Sequence, residues 1–320
     1  MKKIFLYLLI LPLTGLAAAP VKKSVRFIYL VSKDRERNAE YEAAIAMAAQ
    51  NIQAWYKKQM NGYTFRLNDP IVEVVQSDKN ASFFYSNPHG ANKDNWGYNN
   101  TFDEVKRLLG VRHFDEDFTY VIYSDGPGNS GRGGSGVAIM PEDDLLGLVG
   151  KHPQQKEINR WIGGLGHELG HALGLPHPKD MKKHDAAIMA SGIYHGRYPD
   201  IAYLTAEDKQ LLSRSPFFFN DAGECIAGDE NVVAQFNYAG GVFERRQNSK
   251  TKTIQWVERT TEKNSFVFTE KQTVAEYYHL KSVNRNIEIR IPVGGGQSTI
   301  SSDGGKTWRN FQTMARQVNP

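Results

Sequence analysis

Residues 161–178 read WIGGLGHELGHALGLPHP, and the interpretation of the whole chain starts from this stretch. Its only charged residue is Glu168, and it contains three histidines and five glycines. Apolar residues recur at steps of three and four, as in an amphipathic helix: Ile158, Ile162, Leu165, Leu169, Ala172 and Leu173. His167 and His171 lie one turn apart on roughly the opposite face. Because that face lacks the usual Lys, Glu and Arg, we expect it to line a cleft.

The glycines need a physical reason, since each costs about 0.5–1 kcal/mol relative to alanine inside a helix. Close approach of a neighbouring backbone, or space for a ligand, would offset that cost. Gly174 is different, because it lies where a left-handed residue would end the helix and Pro176 prevents the helix from continuing. We therefore expect the chain to turn back there and to bring His177 to the side where His167 and His171 point.

This geometry predicts a zinc site. Three neutral imidazoles that converge on one point suit Zn²⁺, at about 2.0–2.1 Å from each nitrogen, and leave a fourth position for water. Bound zinc lowers the pKa of that water from about 15.7 to about 7. Glu168, next to the first histidine, is well placed to take the proton as general base. The prediction is one catalytic zinc ion bound by His167, His171 and His177, with Glu168 as the catalytic residue.

Residues 167–177, HELGHALGLPH, resemble the long zinc motif of the metzincin metallopeptidases, H-E-x-x-H-x-x-G-x-x-H, in the style of matrixin-like and pappalysin-like members. Metzincins also have a methionine-containing turn under the metal. Met189, in the sequence IMAS at 188–191, fits this Met-turn, whereas Met181 follows His177 too closely to leave room for a turn. The resemblance implies a zinc-dependent endopeptidase that acts on a protein or peptide substrate.

Two histidines and two tyrosines that follow the zinc motif leave alternatives open for the site. His184 or His195 are candidates to replace His177 as third ligand, although the turn at Gly174 favours His177. Several metzincins have a tyrosine two residues after the Met-turn methionine, where this chain has a serine. Tyr194 and Tyr198 are therefore candidates for an oxyanion-stabilising residue or a fifth ligand, with a packing role as the alternative.

The chain before the motif alternates strands and helices. Strands are predicted at 26–31, 63–75 and 118–123, and helices at 38–60 and 101–109. This order predicts an α/β layer ahead of the zinc helix, which the resemblance also implies. A capping-box-like start at Thr205 predicts a short closing helix through Leu212.

Two segments between strand and zinc helix carry further predictions. By resemblance, Val137, Ala138 and Ile139 form the substrate-edge strand that borders the cleft and binds an extended peptide through main-chain hydrogen bonds. The alternative is a short strand behind a mobile loop, the glycine-rich stretch 126–136, which lacks the spacing of a phosphate loop. Residues 141–144, PEDD, are a candidate for Ca²⁺, with a solvated turn as the alternative.

Residues 1–19 resemble a secretory signal peptide, with Lys2 and Lys3 before an apolar run and three alanines at its end. The apolar run is too short to span a bilayer, so we expect a protein that is secreted or periplasmic and not membrane-embedded. Removing both lysines lowers the formal net charge from +4 to +2, which predicts no nucleic-acid partner. Cys225 is the only cysteine, which excludes an intramolecular disulfide, and we expect a monomer.

Residues 219–320 have a different pattern. Short runs rich in Val, Ile, Phe, Tyr and Thr recur about every ten residues between glycine and polar turns, a signature of a β-sandwich or barrel. Residues 301–308, SSDGGKTW, resemble an Asp-box, a hairpin motif of glycosidase propellers and sugar-binding proteins. The box usually stabilises a turn. Glycan binding by this domain is therefore one hypothesis, and a structural or secretion-related accessory role is the other.

Together these patterns predict an α+β protein: a signal peptide at 1–19, a metzincin-like catalytic domain at 20–218 and a smaller, sandwich-like all-β domain at 219–320. The predicted function is a secreted zinc endopeptidase. One alternative is an adhesin or glycan-binding protein whose zinc site is structural or inactive, since structural zinc normally has four protein ligands. Another is a zinc hydrolase that acts on a different amide.

Overall fold

The computed structural model describes residues 21–86, 93–227, 230–249, 251–262 and 264–317. The predicted signal peptide at 1–19 lies outside the described residues. Within them, the chain forms a mixed sheet with helices and then a separate eight-stranded barrel, so the α+β prediction is confirmed. No described helix is both long and apolar enough to cross a bilayer.

The first part of the chain contains six strands and five α-helices in the described residues. In chain order these are β1 (Ser24–Val31), α1 (Ala39–Gln59), β2 (Thr64–Gln76), α2 (Trp96–Leu109), β3 (Phe118–Ser124), β4 (Arg132–Gly134), β5 (Val137–Met140), α3 (Glu142–Leu148), α4 (Ile158–Ala172), α5 (Ala206–Leu212) and β6 (Phe218–Phe219). Two 3₁₀ helices, Ala81–Tyr85 and Lys93–Asn95, precede α2. The sheet order is β4-β5-β3-β1-β2-β6.

The centre of this sheet is parallel and buried. β1 pairs in parallel with β2 and β3, and every one of its eight residues is buried, as expected for a strand with both faces covered. The main core lies between the sheet and helices α1 and α4, which contribute Ile52, Tyr56, Leu165 and Leu169 to it. The Tyr56 hydroxyl donates a hydrogen bond of 3.0 Å to the Gly166 carbonyl. The zinc-motif helix is thereby fixed in the core.

The substrate-edge prediction for Val137, Ala138 and Ile139 is wrong in position. β5, which contains them, is buried between β3 and β4, and β4 is the outer strand of the described sheet. β4 comes from the glycine-rich stretch that the sequence suggested as a loop. Such a short run, two of whose three residues are glycine, carries no strand signal by propensity.

The second part of the chain is a closed antiparallel barrel rather than the predicted sandwich-like domain. Its strands are β7 (Glu230–Tyr238), β8 (Gly241–Asn248), β9 (Ile254–Thr260), β10 (Ser265–Thr273), β11 (Tyr277–Ser282), β12 (Glu288–Pro292), β13 (Gly296–Ser301) and β14 (Arg309–Arg316). β14 pairs with β7 and β9 pairs with β10, which closes the ring and removes free sheet edges. The interior is filled by buried aromatic side chains such as Trp256 and Phe243.

The predicted boundary at 218/219 falls inside a strand of the first sheet. β6 (Phe218–Phe219) pairs with β2, so Phe219 belongs with the first part, and the barrel begins at β7. The two parts also touch each other. The Ser265 N–H donates a hydrogen bond of 2.7 Å to the Phe114 carbonyl, and the rings of Phe114 and Phe266 lie 4.9 Å apart.

The Asp-box-like motif forms the turn between β13 and β14. Asp303 accepts hydrogen bonds from the backbone N–H groups of Lys306 and Thr307, at 3.0 Å each, and from the Thr307 hydroxyl at 2.6 Å. The Trp308 indole N–H donates to the Gly305 carbonyl. The polar groups of the motif therefore form hydrogen bonds with one another that stabilise this turn. Glycan binding through the barrel stays a prediction that this turn does not support.

Candidate metal centre

The metal centre is built by the end of α4 and the turn that follows it. Gly174 has φ of +92°, a left-handed conformation that favours glycine. The Leu175 N–H donates a hydrogen bond of 2.9 Å back to the Gly170 carbonyl, which closes the helix end. The chain reverses here as predicted and carries His177 toward the histidines of α4.

The three predicted ligand histidines meet. Their Nε2 atoms are 3.1 Å apart between His167 and His171, 3.0 Å between His171 and His177, and 3.3 Å between His167 and His177. The Nδ1 atom of His167 lies 2.7 Å from the Ile188 carbonyl, and that of His171 lies 2.8 Å from the Leu175 carbonyl. Since a carbonyl can only accept, both Nδ1 atoms carry hydrogen and both Nε2 atoms present lone pairs inward.

This arrangement fits a zinc ion. Lone pairs that face one another at such distances repel unless a cation lies between them. Tetrahedral zinc with bonds of about 2.0–2.1 Å requires nitrogen atoms about 3.3–3.4 Å apart, close to the observed separations. Burial lowers the pKa of both His167 and His171, which favours the neutral imidazole that binds metal. Among the described residues, these three form a group with metal-ligand geometry, and no fourth residue belongs to it.

Met189, the residue predicted for the Met-turn, packs against the zinc-motif helix. Its side chain is fully buried, and a Cβ added at Gly170 would lie only 2.4 Å from its sulfur. The methionine side chain therefore packs where a side chain at position 170 would otherwise lie, between the first two histidines of the motif in the sequence. The preceding residue, Ile188, supplies the carbonyl that orients His167. Met181 is exposed by comparison.

Glu168 lies beneath the outer strand of the sheet. A Cβ added at Gly133 of β4 would lie 2.0 Å from the Glu168 carbonyl oxygen, and one added at Gly131 would lie 3.1 Å from its Cγ. Only glycines allow the strand to pass this close. Burial raises the pKa of the Glu168 carboxyl, while its electrostatic interaction with the His171 ring and a hydrogen bond from the Gly133 backbone N–H oppose the rise. A carboxyl with a raised pKa beside a metal centre suits general-base work.

The alternative residues lie elsewhere. His184 pairs with the Tyr203 hydroxyl at 3.1 Å, and neither His184 nor His195 belongs to the histidine cluster. The Tyr198 ring is buried in the core 5.9 Å from that of Trp55, which agrees with the packing alternative. Tyr194 is 45% exposed, and neither tyrosine has a ring contact with the cluster in the described residues.

The residues proposed for calcium begin α3 instead of forming a turn. Glu142 pairs with Arg35 at 3.2 Å, and Asp143 lies 3.6 Å from His152. Asp144 points inward and is buried, and its Oδ2 atom has no hydrogen-bond partner in the described residues. Burial raises the pKa of Asp144 to about 7. Sequence reasoning missed this group, because nothing in a run of acidic residues tells which one is buried.

The raised pKa of Asp144 predicts a pH-dependent stability. In the folded protein Asp144 keeps its proton up to about pH 7, whereas in the unfolded chain its pKa has the ordinary value of 3.8. Because the folded state binds the proton more tightly, the free energy of unfolding falls as the pH rises between these two pKa values. Between pH 5 and pH 8, we expect the ionisation of Asp144 to lower the free energy of unfolding by about 1–3 kcal/mol. Asp144→Asn should abolish that loss in urea unfolding of zinc-free protein, whereas the control Asp143→Asn should keep it. Equal pH profiles for both variants would refute the assignment.

A second prediction concerns the turn at Gly174. A Cβ there meets no atom within 4 Å, so Gly174→Ala would add only backbone strain, about 1–2 kcal/mol. Because this turn positions His177, we expect zinc affinity in a chelator competition to fall by about tenfold. Gly62→Ala is a matched control, since Gly62 has φ of +95° and equally free surroundings. It should lose similar stability with unchanged zinc affinity; a drop in zinc affinity for both variants would contradict the prediction.

No protein-family model matches this chain, and no curated protein matches it in sequence. Solved structures of OgpA from Akkermansia muciniphila do align with it. The wild-type crystal structure in space group P 41 21 2 is 17% identical, with 93% of this chain and 95% of that chain covered, at a TM-score of 0.43. Catalytically inactive OgpA in complex with an O-glycopeptide (glycodrosocin) substrate is 18% identical, with 93% of this chain and 94% of that chain covered, at a TM-score of 0.44. These TM-scores are too low to transfer a fold or a function to this chain.

Proposed function

We propose that this chain is a secreted, zinc-dependent endopeptidase of the metzincin type. The observation that carries the proposal is the cluster of three inward-facing Nε2 atoms, 3.0–3.3 Å apart, on a helix whose Glu168 lies next to the first ligand. Three protein ligands leave a coordination position open, which catalytic zinc sites require and structural sites lack. The proposal includes a catalytic domain that follows a cleaved signal peptide, and an accessory barrel.

The proposed chemistry needs both the metal and this chain's residues. Zinc held by three histidines supplies a Lewis acid and lowers the pKa of a bound water to about 7. Glu168 takes a proton from the attacking water and passes it to the leaving amine nitrogen. Its burial beneath β4 restricts the movement of the side chain and raises the pKa of its carboxyl.

β4 supplies a candidate binding edge for the peptide. It is the outer strand of the described sheet, and it crosses α4 at Glu168. An extended peptide that adds to its free edge by main-chain hydrogen bonds would lie alongside the part of α4 that contains Glu168. This role replaces the one that the sequence suggested for Val137, Ala138 and Ile139.

The adhesin alternative requires a structural or inactive zinc site. The described cluster contains three ligands, and His184, the nearest alternative in sequence, is paired with Tyr203. Since structural zinc normally takes four protein ligands, this arrangement favours the enzyme.

The test is hydrolysis of peptides by zinc-loaded protein. We expect internal cleavage of a diverse peptide library, abolished by a chelator and restored by added zinc, with products identified by mass spectrometry. O-glycopeptides of the kind in the OgpA complex are included as probes. If neither unmodified nor glycosylated peptides are cleaved by protein that holds one zinc ion per chain, the proposal fails.

A further inference from the structure

Arg160 lies on the same helix and the same face as two of the predicted zinc ligands. His167 and His171 follow it at positions i+7 and i+11, which are close to whole turns of an α-helix. Neither the proposed catalytic step nor the metal centre uses this residue. Its side chain is half-buried, although it belongs to the first turn of α4.

The guanidinium points along the helix toward the metal centre. A Cβ added at Gly164 would lie 2.8 Å from the Nη1 atom of Arg160, so the side chain folds over this glycine. Gly164 precedes His167 by three residues, or about 4.5 Å along the helix axis. A side chain of any size at 164 would displace the guanidinium, which gives a second reason for glycine in this helix.

Two aromatic rings flank the guanidinium. Its carbon lies 5.0 Å from the centroid of the Trp161 ring and 4.8 Å from that of Tyr194. Trp161 is buried against Gly147 of α3, whereas Tyr194 is 45% exposed. The guanidinium is therefore held in place on the protein side and open toward solvent at Tyr194. Cation–π contacts of this kind restrain a guanidinium while they leave its N–H groups available.

Among the described residues, no acceptor forms a hydrogen bond or an ion pair with the guanidinium of Arg160, whose backbone N–H donates to the Glu157 carbonyl. Arg197, from the same region, is different: it pairs with the Asp185 carboxylate at 2.5 Å and donates to the Asp185 carbonyl. A guanidinium has five N–H donors, and none of those of Arg160 is used by a described protein acceptor, so they are available to a ligand that displaces water. The nearby carboxyl of Asp144 is not within ion-pair distance, and its raised pKa makes it a poor counter-ion.

We infer that Arg160, held between Trp161 and Tyr194, is a subsite that binds a carboxylate of the substrate. A carboxylate matches the planar, two-pronged donor pattern of a guanidinium. The inference rests on the proposed peptidase function for the identity of the ligand as a peptide. The carboxylate comes either from an Asp or Glu side chain or from a free peptide C-terminus. In both cases Arg160 determines which peptides bind, and it takes no part in bond cleavage.

The experiment measures binding, so it does not depend on hydrolysis. Zinc-loaded Glu168→Gln protein is immobilised and incubated with two pools of randomised decapeptides, one with C-terminal amides and one with free C-terminal carboxylates. Retained peptides are sequenced by mass spectrometry. The same capture is repeated with proteins that carry Arg160→Gln, Arg160→Lys or Arg214→Gln in addition to Glu168→Gln. Arg214→Gln is the control, because Arg214 is exposed. Zinc content and thermal unfolding establish that each variant is folded.

If an acidic side chain is the ligand, we expect Asp or Glu to be enriched at least tenfold at one position of the amidated pool. If a chain terminus is the ligand, the free-acid pool should be retained at least tenfold more than the amidated one. Arg160→Gln should remove the preference, Arg160→Lys should keep part of it, and Arg214→Gln should leave it unchanged. A merely structural arginine would lower all binding without changing the preference.

Two results would overturn the inference: no preference for carboxylates in either pool, or a preference that survives Arg160→Gln. The failure of the proposed function looks different. A carboxylate preference in a protein whose wild-type form cleaves no peptide would refute the peptidase and keep the subsite. Cleavage without a carboxylate preference would keep the peptidase and refute the subsite.

Discussion

Replacing Glu168 by glutamine is expected to lower kcat for peptide hydrolysis by about 10²–10⁴-fold while the protein keeps its fold and one zinc ion per chain. Glutamine has the shape of glutamate but cannot accept the proton of the attacking water. The position is tightly constrained, because β4 crosses directly above it, so an isosteric change is the one that tests chemistry rather than packing. Turnover of a cleaved library peptide and metal content of the same sample measure both halves of the prediction.

Glu157→Gln is the matched control for this experiment. Glu157 lies at the start of the same helix, is exposed, and its side chain makes no capping hydrogen bond, so its replacement should leave kcat unchanged. Undiminished hydrolysis by zinc-loaded Glu168→Gln would refute the general-base role. Loss of zinc from that variant would show instead that the carboxylate helps to hold the metal.

Replacing His171 by alanine should remove the zinc ion and, with it, all chelator-sensitive hydrolysis. His171 is the central member of the cluster, with its Nε2 atom 3.1 Å and 3.0 Å from those of the other two histidines. Loss of a direct ligand should cost more affinity than the about 10–100-fold that removal of an outer hydrogen-bond partner costs. Zinc affinity from a competition titration measures the effect.

His195→Asn is the control for the ligand assignment. His195 was a sequence candidate for third ligand, and it lies outside the cluster with φ of +59°, a conformation that asparagine tolerates. We expect unchanged zinc affinity and unchanged hydrolysis. Full zinc occupancy in His171→Ala, or loss of zinc in His195→Asn, would show that the ligand set is wrong.

Those parts of the site that depend on local sequence could be predicted. Helical spacing put His167 and His171 on one face, and the glycine and proline signals at 174 and 176 predicted the turn that brings in His177. Met189 was identified through a family resemblance, and its burial against Gly170 agrees with that position. Each of these signals lies within about twenty residues of the motif, where spacing alone limits the geometry.

What depends on distant contacts could not be predicted. Two distant contacts determine that β4 and not β5 is the outer strand: the pairing of β5 with β3 and the close fit of Gly133 to α4. Neither contact produces a recognisable pattern in a glycine-rich stretch. Barrel and sandwich share the same alternation along each strand, so closure of β14 onto β7 had no local signal. The buried position of Asp144 and the unpaired guanidinium of Arg160 follow from helix packing alone.

The central claim is that His167, His171 and His177 hold one zinc ion and leave a coordination position for solvent. X-ray absorption spectroscopy of purified, zinc-loaded protein tests it most directly, together with metal analysis of the same sample. We predict one zinc ion per chain with three imidazole nitrogens and one further light-atom ligand, all at about 2.0–2.1 Å. A site with four protein ligands, or protein that is folded but binds no stoichiometric zinc, would contradict the account.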